Sequence, residues 1–448
     1  MIHMVIKITL LLVFFAVMVG IGLYCRKHAT DVNGFVLGGR SVGPWLTAFA
    51  YGTSYFSAVV FVGYAGQFGW KYGIAATWAG IGNALLGSLL AWAVLGRRTR
   101  IMSQHLDSAT MPEFFGKRFG SKSLKIAASA IIFIFLIPYT ASLYNGLSRL
   151  FGMAFDIPYG VCVLGMAVLT AVYVILGGYM ATAINDFIQG IIMLAGIIAV
   201  ILSVLSGQGG FTAAVGNLAR IPSQVPLTMG QPGAYASFFG PDPMNLLGVV
   251  ILTSLGTWGL PQMIHKFYTI RSEKAIATGT VISTIFAIVI SGGSYFLGGF
   301  GRLFDGPAIY NGNGGIAYDT IIPAMLSGLP DILIGIVVML VLSASMSTLS
   351  SLVLTSSSTL TLDFIKGNLV KDMKDRTQLI LMQVLIVAFI IISVVLALDP
   401  PDFIAQLMGI SWGALAGAFL APFLYGLYWK RVTPAAVWAS FAAGVGIT

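Results

Sequence analysis

Charge is what this chain has least of. Only 9% of its 448 residues are Asp, Glu, Lys or Arg against 57% hydrophobic, and the mean hydropathy is +0.92. Such a composition cannot furnish the polar surface of a water-soluble globule. Cysteine is scarce too: Cys25 and Cys162 lie in or beside apolar runs, and one possible pairing supports neither a disulfide framework nor a thiolate metal site. His3, His28, His105 and His265 have no metal-ligand spacing, and no glycine-containing run leads into the lysine and hydroxyl of a phosphate loop. The chain is therefore read as a non-enzyme. Of the fifteen carboxylates only Asp186 enters an apolar run, and no Lys or Arg is expected at mid-depth.

What the chain does have is long stretches without polarity. Apolar runs of about 20 residues, each able to cross roughly 30 Å of hydrocarbon, recur near residues 4–25, 45–70, 73–95, 125–150, 158–177, 181–206, 245–269, 274–300, 331–364, 377–398, 402–428 and from 433 onward. They predict an all-α integral membrane protein, one helical bundle with the lipid bilayer as its solvent and no soluble domain. The first run is too long for a signal peptide, lacks a small-residue cleavage site and leads into further spans, so it is expected to be retained. The last run reaches Thr448 still apolar and short for a crossing, so a truncated helix from 433 is the expectation.

A net charge of +9 suggests a nucleic-acid partner until the cations are placed. With alternating spans, nineteen of the 24 Lys and Arg residues fall in loops on one side, Lys266 among them. That is the positive-inside pattern; it puts the N-terminus outside and requires no nucleic acid. Two outer stretches, Gly207 to Pro243 and Arg302 to Pro330, are long and polar enough to be either lids or plain surface loops.

The second and seventh spans share small and hydroxyl-bearing centres, Ala50-Tyr51-Gly52-Thr53-Ser54-Tyr55-Phe56-Ser57 and Ser254-Leu255-Gly256-Thr257-Trp258-Gly259-Leu260-Pro261. Both read as interrupted helices. Interrupted spans that each open a set of five mark an inverted-repeat carrier with its site between them; the alternative is glycine for close helix packing. On the first reading the repeats occupy 42–206 and 243–428, with 4–25 as a peripheral helix.

Ala344, Ser347 and Thr348 stand at i, i+3 and i+4, which puts one carbonyl and two hydroxyls on one helical face. A sodium ion needs further oxygens, and carbonyls freed at the second-span break, at Thr53 and Phe56, would supply them. Equally, the hydroxyls would be satisfied by bonding back to carbonyls four residues earlier. Asp186 lies either on an ion path or simply at a helix N-terminus that favours its charge. The scarcity of buried titratable groups favours sodium over protons as the coupling ion. A solute carboxylate would have to be met by half-helix N-termini and hydroxyls, with Ser54, Tyr55, Ser57, Tyr139, Thr257, Trp258 and Gln262 as pocket candidates.

Phe35-Val36-Leu37-Gly38-Gly39-Arg40-Ser41-Val42-Gly43-Pro44, then Gly177-Gly178 followed by Ala181, Asp186 and Gln189, then Ala344-Ser345-Met346-Ser347-Thr348-Leu349-Ser350 resemble, in that order, motifs of the sodium:solute symporter family. The likeness runs from the first span to the end of the chain. It implies a thirteen-helix carrier whose core is an inverted five-plus-five helix repeat similar to that of the bacterial leucine transporter, with one extra N-terminal helix and extra C-terminal helices. It also implies sodium held by Thr53, Phe56, Ala344, Ser347 and Thr348, an ion-path role for Asp186, and a gating role for Arg40. Proline carriers of the family place an Asp where Tyr55 stands, and sugar carriers a Glu-Gln pair at Val59-Val60. Lys71-Tyr72-Gly73 and Gly259-Leu260-Pro261 look more like the pantothenate branch.

The expected function is sodium-coupled secondary active symport of a small organic solute, an amino acid or small carboxylate such as proline or pantothenate. The alternatives are a membrane sensor on the same fold, for which a signalling module beyond Thr448 would speak, a sodium-coupled sugar transporter, and an uncoupled channel.

Overall fold

A backbone in hydrocarbon has to satisfy its own hydrogen bonds, and this one does so as helices. The computed structural model describes residues 2–155, 158–366, 368–370, 372–399 and 404–448. Among them extended backbone pairs only in isolated bridges. Among the described residues eight helices are long and apolar enough to cross a membrane, nine if the bent pair Pro243–Gly259 and Pro261–Thr269 counts as one span, and Pro434–Ile447 is a shorter apolar helix.

Two of the eight, Val59–His105 and Tyr159–Gly207, run 47 and 49 residues, more than twice a crossing. Each contains a glycine in a left-handed conformation closed to other residues, Gly73 (φ 62, ψ −145) and Gly178 (φ 53, ψ −146), and there the chain doubles back. Beyond Gly73, Gly87 and Trp92 return to Tyr51, whose hydroxyl donates to the Gly87 carbonyl at 2.8 Å while its ring meets Trp92 edge-on. Before Gly178, Tyr159 and Ile175 lie along Asp375–Leu398; beyond it, Gly196 packs on Leu340. Each long element thus turns from one span into the next, 59–72 completing the span that begins at Pro44, with the turns where the sequence separates 45–70 from 73–95 and 158–177 from 181–206.

Burial separates centre from periphery. The apolar window of Asp331–Ile365 is 72% inside the protein, against 33% for Asp375–Leu398 and 22% for Ile8–His28. The serine- and threonine-rich helix is therefore the axis of the bundle, and the N-terminal helix leans on its outside against Tyr159–Gly207. Close approach of backbones is made by glycine: a side chain on Gly69 would strike Gly298, and one on Gly298 would strike the Ala65 carbonyl. Val42 ties the head of the second span to the tail of the seventh, donating to the Thr269 carbonyl at 3.2 Å and accepting from Arg271 N–H at 2.9 Å.

Each end has a buried polar clasp. At the basic end Thr110 donates to the Asp363 carboxylate at 2.5 Å, with the Lys125 ammonium 3.4 Å from its other oxygen. At the opposite end the Arg302 guanidinium lies between the rings of Tyr235 and Trp70, 3.9 and 4.6 Å from their centroids, and donates to the Trp70 carbonyl at 2.7 Å.

Candidate functional site

The second span breaks where its small and hydroxyl residues cluster. Helix Pro44–Tyr55 ends at Phe56, which leaves helical geometry at φ −98 and ψ 84. Helical winding resumes as the π-turn Val59–Tyr64, with Ser57 as its cap: the Val59 N–H donates to Ser57 Oγ at 3.2 Å, and the Val60 and Phe61 N–H groups to the Ser57 carbonyl. The seventh span breaks at Leu260, where Pro261 starts a new helix bent by 51° from the one before.

At the first break four of the expected oxygens meet. The Thr53 carbonyl lies 3.0 Å from Thr348 Oγ1 and 3.3 Å from Ser347 Oγ, and the Ala344 carbonyl 3.1 and 3.3 Å from the same two hydroxyls, each of which donates its one proton to one of these acceptors at a time. Ser347 also bonds back to Ser343 at 2.8 Å. Back-bonding accounts for the contacts to Ser343 and Ala344 but not for the crossing to Thr53, which draws two non-adjacent helices together over carbonyl and hydroxyl oxygen. Phe56 and Ala344 line one small cavity beside this cluster, with Ser57 and Leu340. Its volume of about 10 Å³ holds at most one water.

The remaining expected residues divide by what their polar atoms already do. The Tyr55 hydroxyl donates to the Thr253 carbonyl at 2.6 Å, the Trp258 indole to Leu86 at 3.0 Å, and Thr257 to Ser254 at 2.9 Å, so these three brace the breaks. Ser54 Oγ is 2.8 Å from Ser351 Oγ. Tyr139 and Gln262 are buried with polar atoms unpartnered among the described residues. Arg40 is far from the cluster, at the basic end: it donates to Ser103 Oγ at 3.2 Å and to the Ser108 carbonyl at 2.8 Å, and lines a cavity of about 580 Å³ with Asp107, Glu113 and Lys125.

One expectation is corrected outright. A cation does lie inside the bundle near the breaks: Lys266, taken from the sequence as a loop residue, is 1% exposed. All nine residues of Pro261–Thr269 are buried, so this half-helix carries Lys266 inward, where it donates to Ser351 Oγ at 2.8 Å and stands 3.9 Å from Asp186 Oδ2. Sequence reasoning also passes over Ser411 and Trp412. The Trp412 ring sits on Gly256 at the seventh-span break and 6.1 Å from the rings of both Tyr55 and Tyr139. The Tyr139 hydroxyl lies near Ser57 and the Trp412 indole without a well-formed hydrogen bond to either. Ser411 Oγ and Trp412 Nε1 are likewise buried and unpartnered among the described residues. The signal for these was a serine–tryptophan pair between glycines in an apolar run, Gly409-Ile410-Ser411-Trp412-Gly413.

Two broken helices facing a hydroxyl-rich one is the arrangement that the sequence motifs anticipate, and the model of the sodium:solute symporter family matches residues 35–444. The chain belongs to that family. The symporter is 29% identical over 443 residues to the osmoregulated proline transporter OpuE of Bacillus subtilis (strain 168), covering 96% of this chain and 85% of the relative. It is 30% identical over 447 residues to the sodium/proline symporter of Staphylococcus aureus (strain NCTC 8325 / PS 47), covering 96% and 83%. A Na+-coupled sialic acid symporter in a substrate-bound outward-open state shares the fold with a TM-score of 0.78 at 17% identity, covering 96% of this chain and 88% of that one. Mhp1, a nucleobase-cation-symport-1 family transporter in a closed conformation, does so at 0.56 and 14%, covering 92% and 91%. The symporter is thus a multi-pass membrane protein with a leucine-transporter-like core, a secondary transporter and no enzyme, with sodium as its coupling ion.

Proposed function

We propose that this symporter takes up L-proline, or a closely similar small amino or carboxylic acid, together with sodium bound at Thr53, Phe56, Ala344, Ser347 and Thr348. The observation that carries the reading is the Thr53 carbonyl drawn onto the Ser347 and Thr348 hydroxyls at the break of the second span. A cation there replaces the hydroxyl protons as the partner of these oxygens and bridges the two helices. Binding of sodium and of solute then favour the same arrangement of the broken helices, so each tightens the other. Proline is named because two relatives of about 30% identity are called proline transporters.

The solute lies against the same breaks. Unpartnered buried polar groups cost about 1–3 kcal/mol each, and the Tyr139 hydroxyl, the Trp412 indole N–H, Ser411 and the Gln262 amide are such groups. The first two suit a carboxylate, and the Gln262 amide oxygen suits an ammonium. Tyr55, Thr257 and Trp258 shape the walls, with Ser54 and Ser57 at the floor of the break. Asp186 lies on the path by which sodium leaves, and Arg40 belongs to the gate at the basic end. The N-terminus is outside and the basic end cytoplasmic, supported by the one-sided distribution of Lys and Arg.

The deciding experiment is uptake of radiolabelled proline, pantothenate and a hexose into proteoliposomes with and without an inward sodium gradient. Sodium-driven accumulation of proline that unlabelled pantothenate fails to displace is expected; accumulation of the hexose alone, or none of the three, overturns the assignment of solute.

A further inference from the structure

The Lys266–Asp186 pair takes no part in the sodium cluster, yet it puts two ionisable groups inside the bundle. Asp186 is fully buried and Lys266 1% exposed. Neither Asp186 carboxylate oxygen has a hydrogen bond among the described residues, so charge alone holds it to the ammonium at 3.9 Å. The ammonium also faces the Tyr179 ring, 5.2 Å from its centroid. An ammonium only donates, so Ser351 Oγ accepts from Lys266, and the same hydroxyl shares a hydrogen bond with Ser54 Oγ at 2.8 Å. Ser54 is the neighbour of Thr53, and Ser351 lies one helical turn beyond Ser347, about 6 Å along the axis. One helix therefore lines two adjoining nests: one of neutral carbonyl and hydroxyl oxygen, the other of a carboxylate, a hydroxyl and a ring face. The second is as suited to a small monovalent cation as the first.

We propose that the Lys266 ammonium is a resident cation, filling a second cation site made by Asp186, Ser351 and the face of Tyr179, and so limiting the symporter to one sodium ion. The inference rests on the sodium cluster proposed above. A carboxylate that stays ionised in low dielectric requires a counter-charge. Supplied from solution, that charge is a second sodium bound and released each cycle; supplied by a tethered side chain, it stays through the cycle.

The test is equilibrium binding of radioactive sodium to the purified full chain without solute. Wild type is expected to bind one ion per chain and Lys266→Met two, the additional ion being lost again in Lys266→Met combined with Asp186→Asn. A folded Lys266→Met protein that still binds one ion overturns the proposal. If Lys266→Met is not recovered folded, Asp186→Asn alone decides. It leaves the ammonium uncompensated beside the sodium cluster and is expected to weaken sodium binding about ten-fold by like-charge repulsion, with Lys266→Met added to it restoring wild-type affinity. Unaltered affinity in Asp186→Asn overturns the proposal. A second ion gained by Lys266→Met while Ser347→Ala with Thr348→Ala leaves wild-type binding unweakened would support the resident cation and sink the sodium cluster instead.

Discussion

The carbonyl of Thr53 accepts the hydroxyl of Thr348 at 3.0 Å across 295 residues of chain, joining the break of the second span to the most buried of the eight long apolar helices. If sodium bridges these helices, the hydroxyls are ligands as well as braces. Ser347→Ala with Thr348→Ala is expected to raise the sodium concentration for half-maximal uptake at least about ten-fold, some 1.4 kcal/mol, while membrane insertion and yield stay near wild type. Unchanged sodium dependence in reconstituted vesicles would count decisively against the cluster.

Tyr139 and Trp412 present buried donors with no acceptor among the described residues. Hydrogen bonds to a charged group contribute about 1.5–3 kcal/mol, so Tyr139→Phe and Trp412→Phe should each raise KM for proline by about ten-fold or more at saturating sodium. Sodium affinity measured without solute should not move. A wild-type KM in both variants would remove them from the pocket.

The backbone approach at Gly298 leaves no room for a methyl group, which would strike the Ala65 carbonyl, whereas Gly248 has nothing within 4 Å. Gly298→Ala is expected to cost about 1–3 kcal/mol by overpacking, read as a lower Tm of the purified protein. Gly248→Ala serves as the matched control and should keep the wild-type Tm; equal values for the two variants would mean that the helices can part without cost.

Arg302 holds Trp70 to Tyr235. Removing its two ring contacts and its bonds to the Trp70 carbonyl and to Gln224 should free the segment around Tyr235. Limited proteolysis within residues 221–241 should be at least several-fold faster in Arg302→Ala than in wild type. Equal cleavage rates would show that the clasp is incidental.

The helices and the two breaks are legible in the sequence for one reason: hydrocarbon tolerates no unpaired backbone, so long apolar runs have to be helical, and glycine among hydroxyl residues inside two of them marks where helical winding gives way, while the Ser- and Thr-rich run 343–359, which has no glycine, stays helical. Thr53, Ala344, Ser347 and Thr348 are found by the same logic, since helical spacing alone aligns the last three. Lys266 escapes it. Its span reads as a run from 245 to 269 interrupted near Pro261, which would still put a cation near the end of the run at the membrane surface; the 51° bend at Leu260 turns that half inward, and the angle and direction of a bend have no residue code. Tyr55 and Trp258 show the opposite failure. A hydroxyl or indole at a break looks available in sequence, but whether a carbonyl such as that of Thr253 or Leu86 has already claimed it depends on which helix lies alongside.

The cleft beside Phe56, Ser57 and Ala344, at about 10 Å³, has consequences for kinetics as well as for binding. Space for one water leaves no room for an organic solute beside Phe56 and Ala344, so a solute bound against this break has to part the helices there. Turnover should then carry a positive activation volume: hydrostatic pressure ought to slow transport, and a bilayer that squeezes its proteins laterally ought to do the same.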